Sequence, residues 1–339
     1  MSDSPTNPNP PGILPSDTFP TGPELSTQAA PSKPAFYKLF VGPDGIRAGW
    51  RLLIYLALVY LLGLVLNKSL HASGYKLPSQ QDQFSPTFVT ISRLLNFLVL
   101  LIPAFIMAKI ERRPVGVYGL PARGAFGRRF WEGIGWGFGA LSILLVMLRI
   151  CGAFYFGSFA LNLRDGLYYG VTWGVAFLMV GFFEEYMFRG YVQYTLTTAI
   201  GFWPTAILLS FLFAFVHKFN PGETWVGLVD VFLAGLVLAA MLIRTGNLWL
   251  PVGFHLGWDW AESYFYGVAD SGMQAKGALL HPSIPTTRAW WVTGGTVGPE
   301  GSVFSCIVEV LLIVLVLWRF RENRYPPKVN EGPALVTAA

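Results

Sequence analysis

The segment Tyr168–Gly190, YYGVTWGVAFLMVGFFEEYMFRG, decides the fold. From Tyr168 to Phe183 it carries no charge, and then Glu184, Glu185 and Arg189 follow in quick succession. About 20 apolar residues cross a bilayer core as an α-helix. The run therefore reads as a membrane span that brings two carboxylates and a guanidinium to one end. Ionisable groups in such a place are costly and need a partner or a cavity. Seven other stretches are similarly apolar: Trp50–Leu66, Phe88–Ala108, Ile134–Phe154, Phe202–His217, Trp225–Ile243, Leu248–Tyr266 and Val303–Phe320. All are too long and continuous for barrel strands, so the expected class is all-α, a polytopic membrane protein of about eight transmembrane helices.

Composition agrees. The 339 residues are 53% hydrophobic and 13% charged, where soluble domains run near ~25% charged. Twelve Trp suit membrane interfaces. The net charge of +5 does not point to nucleic acid, because the basic residues flank spans. Lys109, Arg112, Arg113, Arg123, Arg128 and Arg129 lie between the second and third spans, and Arg319, Arg321, Arg324 and Lys328 follow the last. Lys38, Arg47 and Arg51 lie at the first. Eight spans put these groups on one side, and basic loops favour the cytoplasm. Both termini are therefore expected in the cytoplasm.

Residues 1–45, rich in Pro, Ser and Thr, are expected to form a disordered cytoplasmic tail. Residues 46–322 form the membrane-embedded domain, with a motif core at about 168–266, and 323–339 form a second cytoplasmic tail. Cys151 and Cys306 show no metal or redox spacing.

Three helices carry ionisable groups that lipid would reject. Glu185 and Arg189 are four residues apart with the acid first, the favourable order for an ion pair. Glu184 points about 100° away, so the two acids need not share a role. His217 lies four residues after Phe213. His255 and Asp259 share a face of the seventh span, with Glu262 one turn on. Each set alone reads as a helix end or a structural hydrogen bond. Together they favour one shared polar cavity. Depth is an obstacle. Glu184 falls near the end of its span, His217 about 22 Å into the next and His255 only ~10 Å into its own. A single site needs the helix of Glu184 to continue past Arg189, or that of His217 to be short or broken near Gly201 and Pro204.

The three sets, EEYMFR (Glu184–Arg189), FAFVH (Phe213–His217) and HLGWD (His255–Asp259), resemble the CPBP family, the CAAX-protease-like or Abi proteins. Its pattern is EExxxR, FxxxH and HxxxN or HxxxD on three membrane helices. The resemblance implies a CAAX-protease-like helical bundle and an intramembrane glutamic endopeptidase. Glu184 would be the general base, and His217 would hold the attacking water. His255 and Asp259 would stabilise the oxyanion. Glu185, Arg189 and Phe213 would support the site. The eukaryotic enzymes have Asn where this chain has Asp259. An ionised Asp only accepts hydrogen bonds, so Asp259 is expected to orient His255, which would donate.

The reading expects no cofactor and no metal. Its partners are a membrane-associated peptide or protein substrate and the bilayer, with no nucleic acid, and its location is the plasma membrane. Two alternatives stay open. One is a non-catalytic scaffold or bacteriocin-immunity-type protein. The other is a zinc metalloprotease using Glu184, His217, His255 and Asp259, although HExxH is absent. A proton-coupled transporter relaying through Arg93, Asp230 and Glu309 is disfavoured, because Arg93 and Asp230 fall near span ends, where snorkelling suffices.

Overall fold

The computed structural model describes residues 39–42, 45–79 and 83–326. The protein is mostly helical, and the described residues contain no closed sheet. Helices occupy all eight apolar stretches: α1 (Ala48–Ala72), α2 (Pro86–Ile110), α3 (Arg128–Ile150), α4 (Leu163–Arg189) continued by α5 (Tyr191–Ile200), α6 (Phe202–His217), α7 (Trp225–Thr245), α8 (Trp249–Asp259) and α9 (Val303–Arg319). Five stretches are long and apolar enough to cross a membrane, with α4 and α5 counted as one of 38 residues. In α1 only 11% of the apolar window is buried. Leu53, Leu56, Tyr60, Leu61 and Val65 face outward, a surface suited to lipid and not to water.

The expected tails lie largely outside the described residues. Val41–Gly42 pairs with Gly45–Ile46 just before α1. After α9, Arg324 N–H donates to Ile243 O at 2.8 Å and Tyr325 is buried. The long segment after Tyr266 is irregular but not featureless. Its strand Leu280–Ser283 pairs antiparallel with Tyr155–Phe159. The third span thus ends at Ile150, short of the expected Phe154, because the chain turns at Gly152 into that strand.

At the centre lies α8, buried on nearly every side. A helix apolar all round belongs in a core. Trp249, Val252 and Leu256 pack with α2 and α4, while Leu250, Phe254 and Trp258 pack with α3, α7 and α9. Glycines set the closeness. A Cβ on Gly133 would sit 2.4 Å from Leu250 O, and one on Gly137 would sit 2.1 Å from Phe254 O. Reciprocally, Gly253 and Gly257 would place a Cβ 2.1 Å from Phe130 O and 2.3 Å from Ile134 O. Two GxxxG faces therefore meet, the device by which membrane helices approach without bulky side chains between them.

The other side of α8 meets α4. Gly181 lies beside Val252 O and the His255 Cβ. Beyond Asp259 the helix widens into a π turn, Trp260–Tyr266. Trp260 Nε1 donates to Gly170 O at 2.8 Å and the Tyr264 hydroxyl to Gly166 O at 2.7 Å. The span expected over Leu248–Tyr266 is thus one continuous element of two helical types.

Candidate active site

The depth obstacle is removed by two breaks. Gly190 interrupts the fourth span, and a Cβ there would meet Tyr186 O at 2.4 Å. The helix resumes at Tyr191 and runs ten more residues. This second piece is anchored by Tyr191 hydroxyl donating to Glu111 and Arg51 donating to Thr198 Oγ1. Glu184 therefore lies well inside the helical stretch and not at its end. Helix α6 has only 16 residues and starts at Gly201, whose φ of +83° suits glycine.

Phe188 of α4 and Phe213 of α6 touch, with ring centroids 5.1 Å apart. One turn before Phe188 is Glu184, and one turn after Phe213 is His217. Both line a cavity of about 590 Å³, together with Phe213, His255 and Asp259. The structure thus brings five of the seven sequence-selected residues to one space, while Glu185 and Arg189 lie buried behind it.

The paired acids are used differently. Glu185 is fully buried and Arg189 is 2% exposed. Arg189 donates to Glu185 Oε1 at 2.9 Å and to Gly235 O at 3.2 Å, and its guanidinium lies over Phe213 at 5.1 Å. The ion pair read from the i, i+4 spacing is present. Glu185 also meets His255 Nδ1 at 3.0 Å. A carboxylate only accepts, so Nδ1 carries the proton. The ring of His255 is fixed by Glu185, because Gly181 lets α4 and α8 close to that distance. Asp259 Oδ2 faces the other nitrogen, Nε2, at 3.5 Å, and Glu184 Oε2 faces the same nitrogen at 3.7 Å.

His217 Nδ1 meets Phe213 O at 2.7 Å. A carbonyl cannot donate, so that nitrogen carries the proton, which leaves Nε2 as the nitrogen that can accept in the neutral ring. The ring stands edge-on to Phe213, with centroids 4.5 Å apart.

Sequence reasoning underrated other residues in the cavity. Asp230 is buried, not snorkelling: it lies inside α7 and lines the cavity with Glu309 of α9. Arg93 also lines it and sits over the Phe183 ring at 5.2 Å. Asp270 and Glu300 come from the segment after Tyr266. Nothing in their local sequence marked them, since each is a single acid in a loop.

The site is thus a cavity of acids and histidines inside a multi-pass helical bundle. Residues 165–261, which carry the site, match the family model described as Type II CAAX prenyl endopeptidase Rce1-like. This is the CPBP, CAAX-protease-like family that the three motifs resemble, and the match supports an intramembrane protease kind of function. No curated protein and no solved structure matches the chain.

Proposed function

We propose that this protein is an intramembrane glutamic endopeptidase that cleaves a membrane-associated peptide or protein. One observation carries the reading. Of two adjacent glutamates, Glu185 is consumed by Arg189 and His255, while Glu184 opens onto the cavity opposite His255 Nε2. Glu184 takes a proton from a water whose other contact is the lone pair of His217 Nε2. The resulting hydroxide attacks the scissile carbonyl carbon. With both nitrogens protonated, His255 donates through Nδ1 to Glu185 and through Nε2 to the oxyanion. Asp259 faces that same nitrogen and balances its charge. Glu184 then returns the proton to the leaving amine as the C–N bond breaks. Phe213 and Phe188 wall the cavity against bulk water.

The substrate is tethered to the bilayer, because the cavity lies among helices whose outer surface is apolar. The basic loops support a location in the plasma membrane with both termini cytoplasmic as part of this reading. The test is reconstitution into vesicles with two fluorogenic peptides of one sequence, one bearing a C-terminal lipid. The lipidated peptide should be cleaved faster, and Glu184→Gln should stop both reactions. Equal turnover of the two peptides would remove the tethered substrate from the proposal. No turnover of any peptide, with a membrane partner retained by both wild type and Glu184→Gln, would favour the scaffold reading.

A further inference from the structure

A second polar cluster lies beyond Asp259. The π turn carries Glu262, the loop after it brings Asp270, and the turn Pro299–Gly301 brings Glu300. One carboxylate oxygen from each lies within 4.8 Å of the other two. Glu262 is fully buried and aimed at its neighbours, and neither of its oxygens has a hydrogen-bond partner. Glu300 is held by Trp258 Nε1 at 3.0 Å and Ser271 Oγ at 3.3 Å, and Asp270 by Ser263 Oγ at 2.9 Å. None of the described ion pairs brings Lys, Arg or His to any of the three. A carboxyl shut off from water beside two half-buried acids, with no basic group paired to it among the described ion pairs, is unfavourable.

We propose that Glu262, Asp270 and Glu300 bind a hard divalent cation such as calcium. The donors are all oxygen, which suits calcium or magnesium more than zinc. Opposed oxygens around Ca²⁺ stand roughly 5 Å apart, and around Mg²⁺ roughly 4 Å, and oxygens within 4.8 Å of one another can close on either ion. The cation would pin the loop and the turn to the helix end that starts at Asp259. It would hold the His255–Asp259 face in place without touching the scissile bond. Asp270 and Glu300 line the cavity, which gives the ion a route in. This inference stands apart from the peptidase reading and from the zinc alternative, whose residues are different ones.

Terbium, a calcium surrogate, provides the test. Trp258 touches Glu300, so a bound Tb³⁺ would be sensitised by that indole. Chelator-stripped, detergent-solubilised protein titrated with Tb³⁺ should show saturable emission under tryptophan excitation. Added Ca²⁺ should displace it, and Trp258→Phe should remove most of it. Glu262→Gln and Asp270→Asn should each weaken Tb³⁺ binding at least tenfold while the protein stays folded, since each relieves repulsion. Absence of saturable, calcium-displaceable emission, or emission unchanged in both variants, would overturn the proposal and leave shared protons as what neutralises the trio. The readout is emission and not cleavage, so it is independent of whether a peptide is cut.

Discussion

At the residue scale, two neighbouring glutamates with opposite fates carry the account. Replacing Glu184 with Gln should lower the cleavage rate by roughly 10²–10⁴-fold, the usual contribution of a general base, with an unchanged melting temperature. His217→Ala should act in the same direction. Glu185→Gln should instead destabilise, by about 3–5 kcal/mol, because it breaks a buried pair and leaves Arg189 uncompensated. Parallel rate and melting measurements on the three variants check this division. A Glu185→Gln protein as stable as wild type would break it. The sequence made the Glu185–Arg189 pair legible, because i, i+4 spacing is local. The Glu185–His255 bond was not legible, since it joins residues 70 apart and depends on how closely two helices approach. Glu262 was visible one turn after Asp259, but its companions Asp270 and Glu300 are single loop acids that only the fold gathers.

At the element scale, the central helix is set by glycine faces. Gly137→Ala would drive a methyl against Phe254 O. It should cost about 1–3 kcal/mol, as overpacking does. Gly135, on the same helix, has open space where a Cβ would stand. Gly135→Ala should be neutral or stabilise by about 0.5–1 kcal/mol through helix propensity. Denaturant or thermal unfolding of the two variants in detergent tests the contrast, and equal stabilities would refute the glycine interface.

At the start of α7, Glu223 is partly buried and its Oε1 accepts from Thr224 N–H. Burial raises its pKa, Glu300 adds to the rise, and the Thr224 bond and His217 oppose it. The raised value favours folding below the ordinary carboxylate range near ~4.3. That contribution is lost as pH rises through the shifted value. The fall in melting temperature above about pH 4 should therefore be shallower in Glu223→Gln, and identical slopes would contradict this.

The eight apolar stretches predicted the elements well, because hydrophobic length is a strong signal in lipid. Their ends were less legible. The break at Gly201 was visible in the local glycine and proline, but the break at Gly190 and the widening after Asp259 come from packing between helices, which a single stretch does not encode.

At the scale of the whole molecule, the bundle encloses an acid-rich cavity within an apolar exterior, and the stretch matched by the family model, residues 165–261, includes the three motifs. The basic loops place both termini on the cytoplasmic side in this account. Tags at the two ends should therefore be digested together only from that face of sealed vesicles. The central claim is that Glu184 performs the hydrolysis without a transition metal. The direct measurement is the initial rate of cleavage of a membrane-anchored peptide by the purified protein, with and without 1,10-phenanthroline, beside Glu184→Gln. The account predicts a rate that survives the chelator and vanishes in the variant. A rate lost on chelation and restored by zinc, or one retained in Glu184→Gln, would contradict it.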